Sequence, residues 1–185
     1  MSNQPESGLI SKINLMILPS RRSIRLPNYD YSSNRAYFVT VCAKNRAMLF
    51  GDIVDGKMIL NNFGEIVELV WESLPQHHQI ELGSFQIMPN HIHMIIIIVG
   101  ATRGSPDTEE GRSRPAPTEL GTIVGLFKSE CTKQIRSIAG NPIFDIWQRN
   151  YYEHVIRNQK DFDKISWYIE NNPLMWDEDE DNITE

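Results

Sequence analysis

Cysteine is nearly absent. Cys42 and Cys131 are the two in a chain of 185 residues, too few for a disulfide framework and without the spacing of a cysteine metal cage. Both fall in expected secondary structure and read as ordinary core thiols. Long hydrophobic runs are also lacking. The apolar run Met94 to Val99 is far shorter than the roughly 20 residues that cross a bilayer, so no membrane association is expected. The N-terminus carries Glu6 and no basic start ahead of its short apolar run, Leu9 to Leu18. No secretory signal is expected there, and a cytoplasmic location follows as the default. No glycine-rich phosphate loop occurs, so chemistry driven by a nucleoside triphosphate is not expected.

A basic excess is missing too: the net charge is -6. The charge is unevenly placed, however. Asp177, Glu178, Asp179, Glu180, Asp181 and Glu185 crowd the last nine residues, and the rest of the chain is neutral overall. The N-terminal part is basic, with Arg21, Arg22, Arg25, Arg35, Lys44 and Arg46. Such asymmetry says more than the total. Arg21 to Pro27 is suited to lie along a phosphate backbone, whereas the tail from Asp177 would repel one. Residues 1–20 show no period and are expected to form a loose arm.

The length and the hydrophobic fraction of 41% suit one domain with a real core. Ala36 to Cys42 alternates as a strand. Ile53-Val54 and Lys57 to Leu60 flank Asp55-Gly56 as a small hairpin. Asn62 to Leu74 carries Phe63, Ile66, Val67, Val70, Trp71 and Leu74 at helical spacing, with Asn62 as the expected cap and Pro75 as the stop. Ile80 to Ile87 is a second strand and His91 to Ile98 a third. Residues 100–117 are rich in Gly, Pro and mixed charge and read as a flexible insertion. Thr118 to Ile138 is a second amphipathic helix. Ile143 to Ile156 reads as a kinked strand, and Asp161 to Asn172 as a last helix stopped by Pro173. The order strand, helix, strand, strand, helix, strand is that of a ferredoxin-like α+β fold (βαββαβ). It predicts an antiparallel sheet with both main helices on one face, an extra C-terminal helix, and the other face left for a ligand.

The most informative stretch is Met88-Pro89-Asn90-His91-Ile92-His93, running on to Ile98. Apolar residues on both sides mark a central strand. His91 and His93, two apart, point the same way. Neutral imidazoles held so are a ready pair of metal ligands; the alternative is two satisfied histidines at the rim of a core. On the last helix Lys164, Tyr168 and Asn172 are four apart and share a face. Tyr168 is a candidate nucleophile, which must be activated. Lys164 can steady a phosphate or lower the phenol pKa, and Asn172 can offer a carbonyl oxygen to a metal. The alternative for Tyr168 is a packing tyrosine.

Several segments together resemble the REP-associated tyrosine transposases. These are bacterial relatives of the single-tyrosine transposases of small insertion sequences, within the HUH nuclease superfamily. They are Arg21-Arg22-Ser23-Ile24-Arg25-Leu26, Tyr37-Phe38-Val39-Thr40, Met88 to His93, Trp147-Gln148-Arg149, Glu153 to Asn158 and Tyr168-Ile169-Glu170-Asn171-Asn172-Pro173. The resemblance spans about residues 21–176. It implies DNA binding and DNA transposition, with cleavage of single-stranded DNA near hairpins of repetitive extragenic palindromes through a 5′-phosphotyrosine link that leaves a free 3′-OH. By position, His91 and His93 match the HUH pair and Tyr168 the nucleophile. Asn172 stands where relatives place an amide, as third ligand of Mg²⁺ or Mn²⁺. Trp147, Arg149, Lys164 and Arg21, Arg22 and Arg25 are expected DNA contacts. The 100–117 insertion and the acidic tail depart from the pattern. Either a monomer or a homodimer is compatible with it.

Two other classes remain open on the residues alone. A non-catalytic nucleic-acid-binding module on the same sheet leaves the histidines and Tyr168 without a task. A hydrolytic zinc enzyme wants another His, Cys or carboxylate near His93, and the sequence offers none there.

Overall fold

The computed structural model describes residues 35–99, 119–179 and 182. The expected arm, Arg21, Arg22, Arg25, the 100–117 insertion and most of the acidic end lie outside the described residues.

Strand β1, Arg35–Cys42, opens the described chain, and a hairpin of β2, Gly51–Val54, and β3, Lys57–Leu60, follows it. Its turn places Asp55 and Gly56 at φ of 50° and 70°, the left-handed pair that a two-residue hairpin demands. Helix α1 spans Asn62–Ser73, β4 Ile80–Ile87 and β5 His91–Ile98. Helix α2 spans Glu119–Ala139, β6 Tyr152–Ile156 and helix α3 Gln159–Asn171, with a 3₁₀ segment over Asn172–Glu178. The main sheet is antiparallel in the order β4-β5-β1-β6. With β2 and β3 set aside as a separate hairpin, this is the ferredoxin-like arrangement.

β5 sits inside the sheet and is buried over all eight residues, which explains its lack of a polar face. On one side Ile92, Met94, Ile96 and Ile98 join Val39 and Val41 of β1 against α1 and α2. On the other, Ile95 and Ile97 join Ala36 and Phe38 against Phe162, Ile165, Tyr168 and Ile169 of α3. The second face is therefore not open to a ligand. It is roofed by α3, which contacts β6 through His154–Asp161 at 3.2 Å near its start and β4 through Ser84–Glu170 at 3.3 Å near its end. Each large apolar side chain buried beneath α3 contributes about 1.5–3 kcal/mol.

Local chemistry sets the element ends. Asn61, rather than Asn62, caps α1: its side chain accepts from the N–H of Phe63 and Gly64. Asn158 caps α3 by accepting from Asp161. Pro173 cannot continue α3 because it lacks an N–H; the chain tightens into 3₁₀ geometry, and Asn172 N–H bonds Ile169 O. The expected strand over 143–156 shortens to β6. Ile143 is exposed, Asn150 is left-handed at φ 66°, and the segment forms an isolated bridge, Ala43 to Trp147, just past the end of β1.

β4 has an irregular register between Leu82 and Phe85. A Cβ on Gly83 there would lie 2.7 Å from Ile95 Cβ, on the face roofed by α3. Gly83→Val should therefore destabilise the fold by about 1–3 kcal/mol through overpacking, read as a lower denaturant midpoint. An unchanged midpoint would show that the two strands are not in close approach.

Candidate active site

Alternation along β5 puts His91 and His93 on the α3 face. A tight turn delivers them: Met88 N–H donates to His91 O at 2.8 Å, and Ala43 N–H to Asn90 O at 2.8 Å. Antiparallel pairing places His91 opposite Cys42 and His93 opposite Thr40. Both imidazoles are almost wholly buried, at 0% and 1% exposure.

Each Nδ1 is tied to a neighbour. His91 Nδ1 lies 2.8 Å from Asn90 Oδ1, and His93 Nδ1 lies 2.9 Å from Thr40 Oγ1. An amide oxygen can only accept, so His91 carries its proton on Nδ1 and turns a lone pair outward from Nε2. The two Nε2 atoms face each other 3.0 Å apart. Without a cation, one N–H···N bond satisfies that spacing, with the Thr40 hydroxyl donating to His93 Nδ1. The same spacing suits two nitrogens that bind one ion at right angles, since ligand distances of about 2.1 Å give about 3.0 Å between them. Anchored Nδ1 atoms are the usual outer support of such ligands.

Burial pushes His91 from its ordinary 6.5 down to about 3, and the Arg46 charge acts in the same direction. His93 is held well below 6.5, by burial first, then by His91 and Arg46, against the opposite pull of Asp179. Both are neutral at physiological pH, the state that binds a metal.

Helix α3 brings Tyr168 into this group. Its hydroxyl is 3.4 Å from His93 Nε2, at the outer limit for a hydrogen bond, and its ring packs edge-on to Phe38. Phe162 and Ile165 of the same helix share one buried cluster with Tyr168. One turn later Asn172 is 1% exposed. Its Nδ2 donates to Asp179 Oδ2 at 3.0 Å, while its Oδ1 is buried with no hydrogen-bond partner. An orphaned acceptor costs about 1–3 kcal/mol, and an oxygen of this kind is what a hard divalent cation takes. The residues thus fit a metal. Among the described residues no three His, Cys, Asp or Glu side chains are arranged to hold one. An ion here would lean on His91, His93, the Asn172 oxygen and oxygens from solvent or substrate, which suits an open, reactive position rather than a structural one.

The 3₁₀ segment closes over the pair, with the Trp176 ring centroid 6.1 Å from that of His91. Asp179, expected in a repelling tail, instead folds back to Asn172. Among the expected DNA contacts, Lys164 is half-buried on α3 and Arg149 is exposed. Trp147 is not at the site. It packs between Phe50 and Phe127 in the other core, with its indole N–H donating to Lys128 O at 3.0 Å. Thr40 and Asn90 are members of the site that pattern-reading did not single out. Asn90 directly precedes His91, which is the one signal that could have flagged it.

Burial of neutral histidines makes the fold acid-sensitive. Above about pH 6.5 neither state carries the extra protons, so this contribution is complete; as pH falls the unfolded chain binds protons that the folded chain refuses, and stability drops, for His91 by about 1.4 kcal/mol per unit down to about 3, with His93 acting in the same direction. Melting temperatures measured from neutral to mildly acidic pH should fall more steeply for the natural chain than for a His91→Leu/His93→Leu variant. Parallel curves would mean that the pair is not held neutral.

No family profile matches the chain. A Haemophilus influenzae protein, described as an uncharacterized protein, is 42% identical over 167 residues, covering 86% of this chain and 92% of that one. A second protein of the same organism, described as "Putative REP-associated tyrosine transposase", is 23% identical over 155 residues, covering 80% of this chain and 77% of that one. A solved structure of a REP-associated tyrosine transposase bound to a REP hairpin is similar over 87% of this chain and 74% of that one, at 20% identity and a TM-score of 0.48. Identity of 42% across most of both chains places the protein in one family with the first of these Haemophilus influenzae proteins, and the transposase relationship is a distant one.

Proposed function

We propose that the protein is a metal-dependent nuclease and strand transferase of the transposase kind, cutting single-stranded DNA near hairpins through Tyr168. One observation carries this reading: His91 Nε2, His93 Nε2 and the Tyr168 hydroxyl converge within 3.0 and 3.4 Å on the buried face of β5. A binding module gains nothing from paying desolvation for these groups together. A distant relative described as a putative REP-associated tyrosine transposase supports the substrate class that the resemblance implies, DNA near repetitive palindromes.

His91, His93 and Asn172 Oδ1 would hold the ion, Mg²⁺ or Mn²⁺. Once bound, such an ion polarises a phosphodiester oxygen and lowers the barrier to its displacement. The remaining steps belong to the chain. Asn90 and Thr40 fix the imidazoles so that both Nε2 lone pairs face the ligand position. Phe38 and the neighbouring apolar residues hold the Tyr168 ring and limit water around it. Tyr168 Oη attacks phosphorus, its bond to phosphorus forms, the bond to the departing 3′ oxygen breaks, and the proton lost by the phenol is balanced by the one gained at the 3′-OH. The phosphodiester energy is kept in the phosphotyrosine, so a 3′-OH can later reverse the step and join strands.

With Tyr168 at 7% exposure, DNA entry requires α3 or the 3₁₀ segment bearing Trp176 to shift. Site groups in an unliganded enzyme are commonly less well aligned than in the complex. We assign contact with the entering backbone to Lys164, one turn before Tyr168, and to Arg149, with Arg21, Arg22 and Arg25, outside the described residues, as further expected contacts.

Incubation with single-stranded hairpin DNA and Mn²⁺ should give a covalent protein–DNA species on denaturing gels, abolished by a chelator and by Tyr168→Phe. His91→Ala and His93→Ala should lower its rate by about 100-fold or more while hairpin affinity, which comes mainly from phosphate and base contacts, changes little. Binding without any adduct under all metals would instead identify a non-catalytic DNA-binding module.

A further inference from the structure

Transfer of a phosphodiester at the histidine pair calls for a side-chain cation to oppose its negative charge. Arg46 is such a cation. It lies in the turn between β1 and β2, a segment tied to the turn that delivers His91: Ala43 N–H donates to Asn90 O at 2.8 Å, and Leu49 and Phe50 N–H both donate to Pro89 O, at 2.8 and 3.1 Å. Asn45 and Arg46 are both left-handed, at φ of 54° and 56°. Two successive non-glycine residues in that region cost energy, and such strain persists where surrounding contacts over-determine it, often at functional positions. Here the flanking bonds to Pro89 and Asn90 hold it. The strained turn holds the end of the Arg46 side chain inside the fold, where its Nη1 is buried, on the segment bonded to the turn before His91.

We propose that Arg46 is a further catalytic residue, whose guanidinium holds a non-bridging oxygen of the phosphodiester while Tyr168 attacks. The inference rests on the phosphotyrosine reading and adds to it the group that binds the reacting phosphate. A planar guanidinium matches two oxygens at once. In a site shielded from water its fixed charge is worth most where negative charge grows during the transfer. Placement also matters. The segment that carries Arg46 is hydrogen-bonded to the turn before His91, so the cation and the metal ligands move as one unit while α3, which carries the nucleophile, can shift against them. Arg46 acts on phosphate rather than on sequence, so it should serve every substrate equally.

The test uses three variants of the full chain. Arg46→Gly removes the side chain at a left-handed position that glycine accepts without strain, Arg46→Lys keeps the charge without the fork, and Arg46→Gln keeps a polar side chain without the charge. Rates of covalent adduct formation are measured at saturating hairpin DNA with Mn²⁺. Arg46→Gly and Arg46→Gln should each lose about 100-fold or more in rate, with hairpin affinity nearly unchanged and Arg46→Lys intermediate. Guanidinium chloride, far below denaturing concentration, should restore part of the Arg46→Gly rate, and urea at the same concentration should not. Rates near that of the natural chain would overturn the proposal, as would a loss that tracks a lower melting temperature and is not rescued by guanidinium. An absence of adduct from the natural chain itself is a different failure: it removes the phosphotyrosine reading, and this inference with it.

Discussion

Two neutral imidazoles buried against one another constrain everything near them. Their Nε2 atoms are 3.0 Å apart with almost no solvent access, so each ring must find its other hydrogen bond inside the protein. Asn90 and Thr40 supply those bonds, and the need for them fixes both the turn before β5 and the register of β1 against β5. A shift of one residue in that register would send Thr40 to the opposite face and leave His93 Nδ1 without its partner. Central placement of β5 follows from the same requirement, because an edge strand could not bury two histidines and still satisfy its backbone.

The roof over the pair is a compromise between stability and access. Helix α3 contributes Phe162, Ile165, Tyr168 and Ile169 to one apolar cluster, and the same helix carries the hydroxyl that meets His93. Its C-terminal continuation lays Trp176 near His91 and ties Asn172 to Asp179. Few of these closing contacts are large, and the segment ends in exposed acidic residues, Asp177 and Glu178. The histidines thus stand on a strand buried over all eight residues, while their cover comes from an added helix and the 3₁₀ segment after it.

Much of this was legible in the sequence where a period or a parity decides the outcome. Alternation alone sets His91 and His93 on one face, and spacing of four aligns Lys164, Tyr168 and Asn172. The element order leads to the β4-β5-β1-β6 sheet. What was hidden depends on long-range pairing or on the backbone between elements. Thr40 lies 53 residues from His93, and only the strand register joins them. Arg46 sits on a left-handed turn that no propensity favours. Trp147 is an expected DNA contact by the resemblance, yet its ring packs between Phe50 and Phe127. Asp179 reads as a repelling tail because sequence charge carries no direction, and in the fold it accepts a hydrogen bond from Asn172. The roof itself was missed because a helix appended to a complete βαββαβ unit has no sequence mark of the face it will cover.

The central claim is that the Tyr168 hydroxyl is the group that attacks DNA. Mass spectrometry of the proteolysed covalent adduct tests it most directly, by locating the peptide that carries the nucleotide. The account predicts a single modified peptide containing Tyr168 with the nucleotide joined through its 5′ phosphate. A nucleotide on Tyr151 or Tyr152, or one joined through a 3′ phosphate, would contradict it.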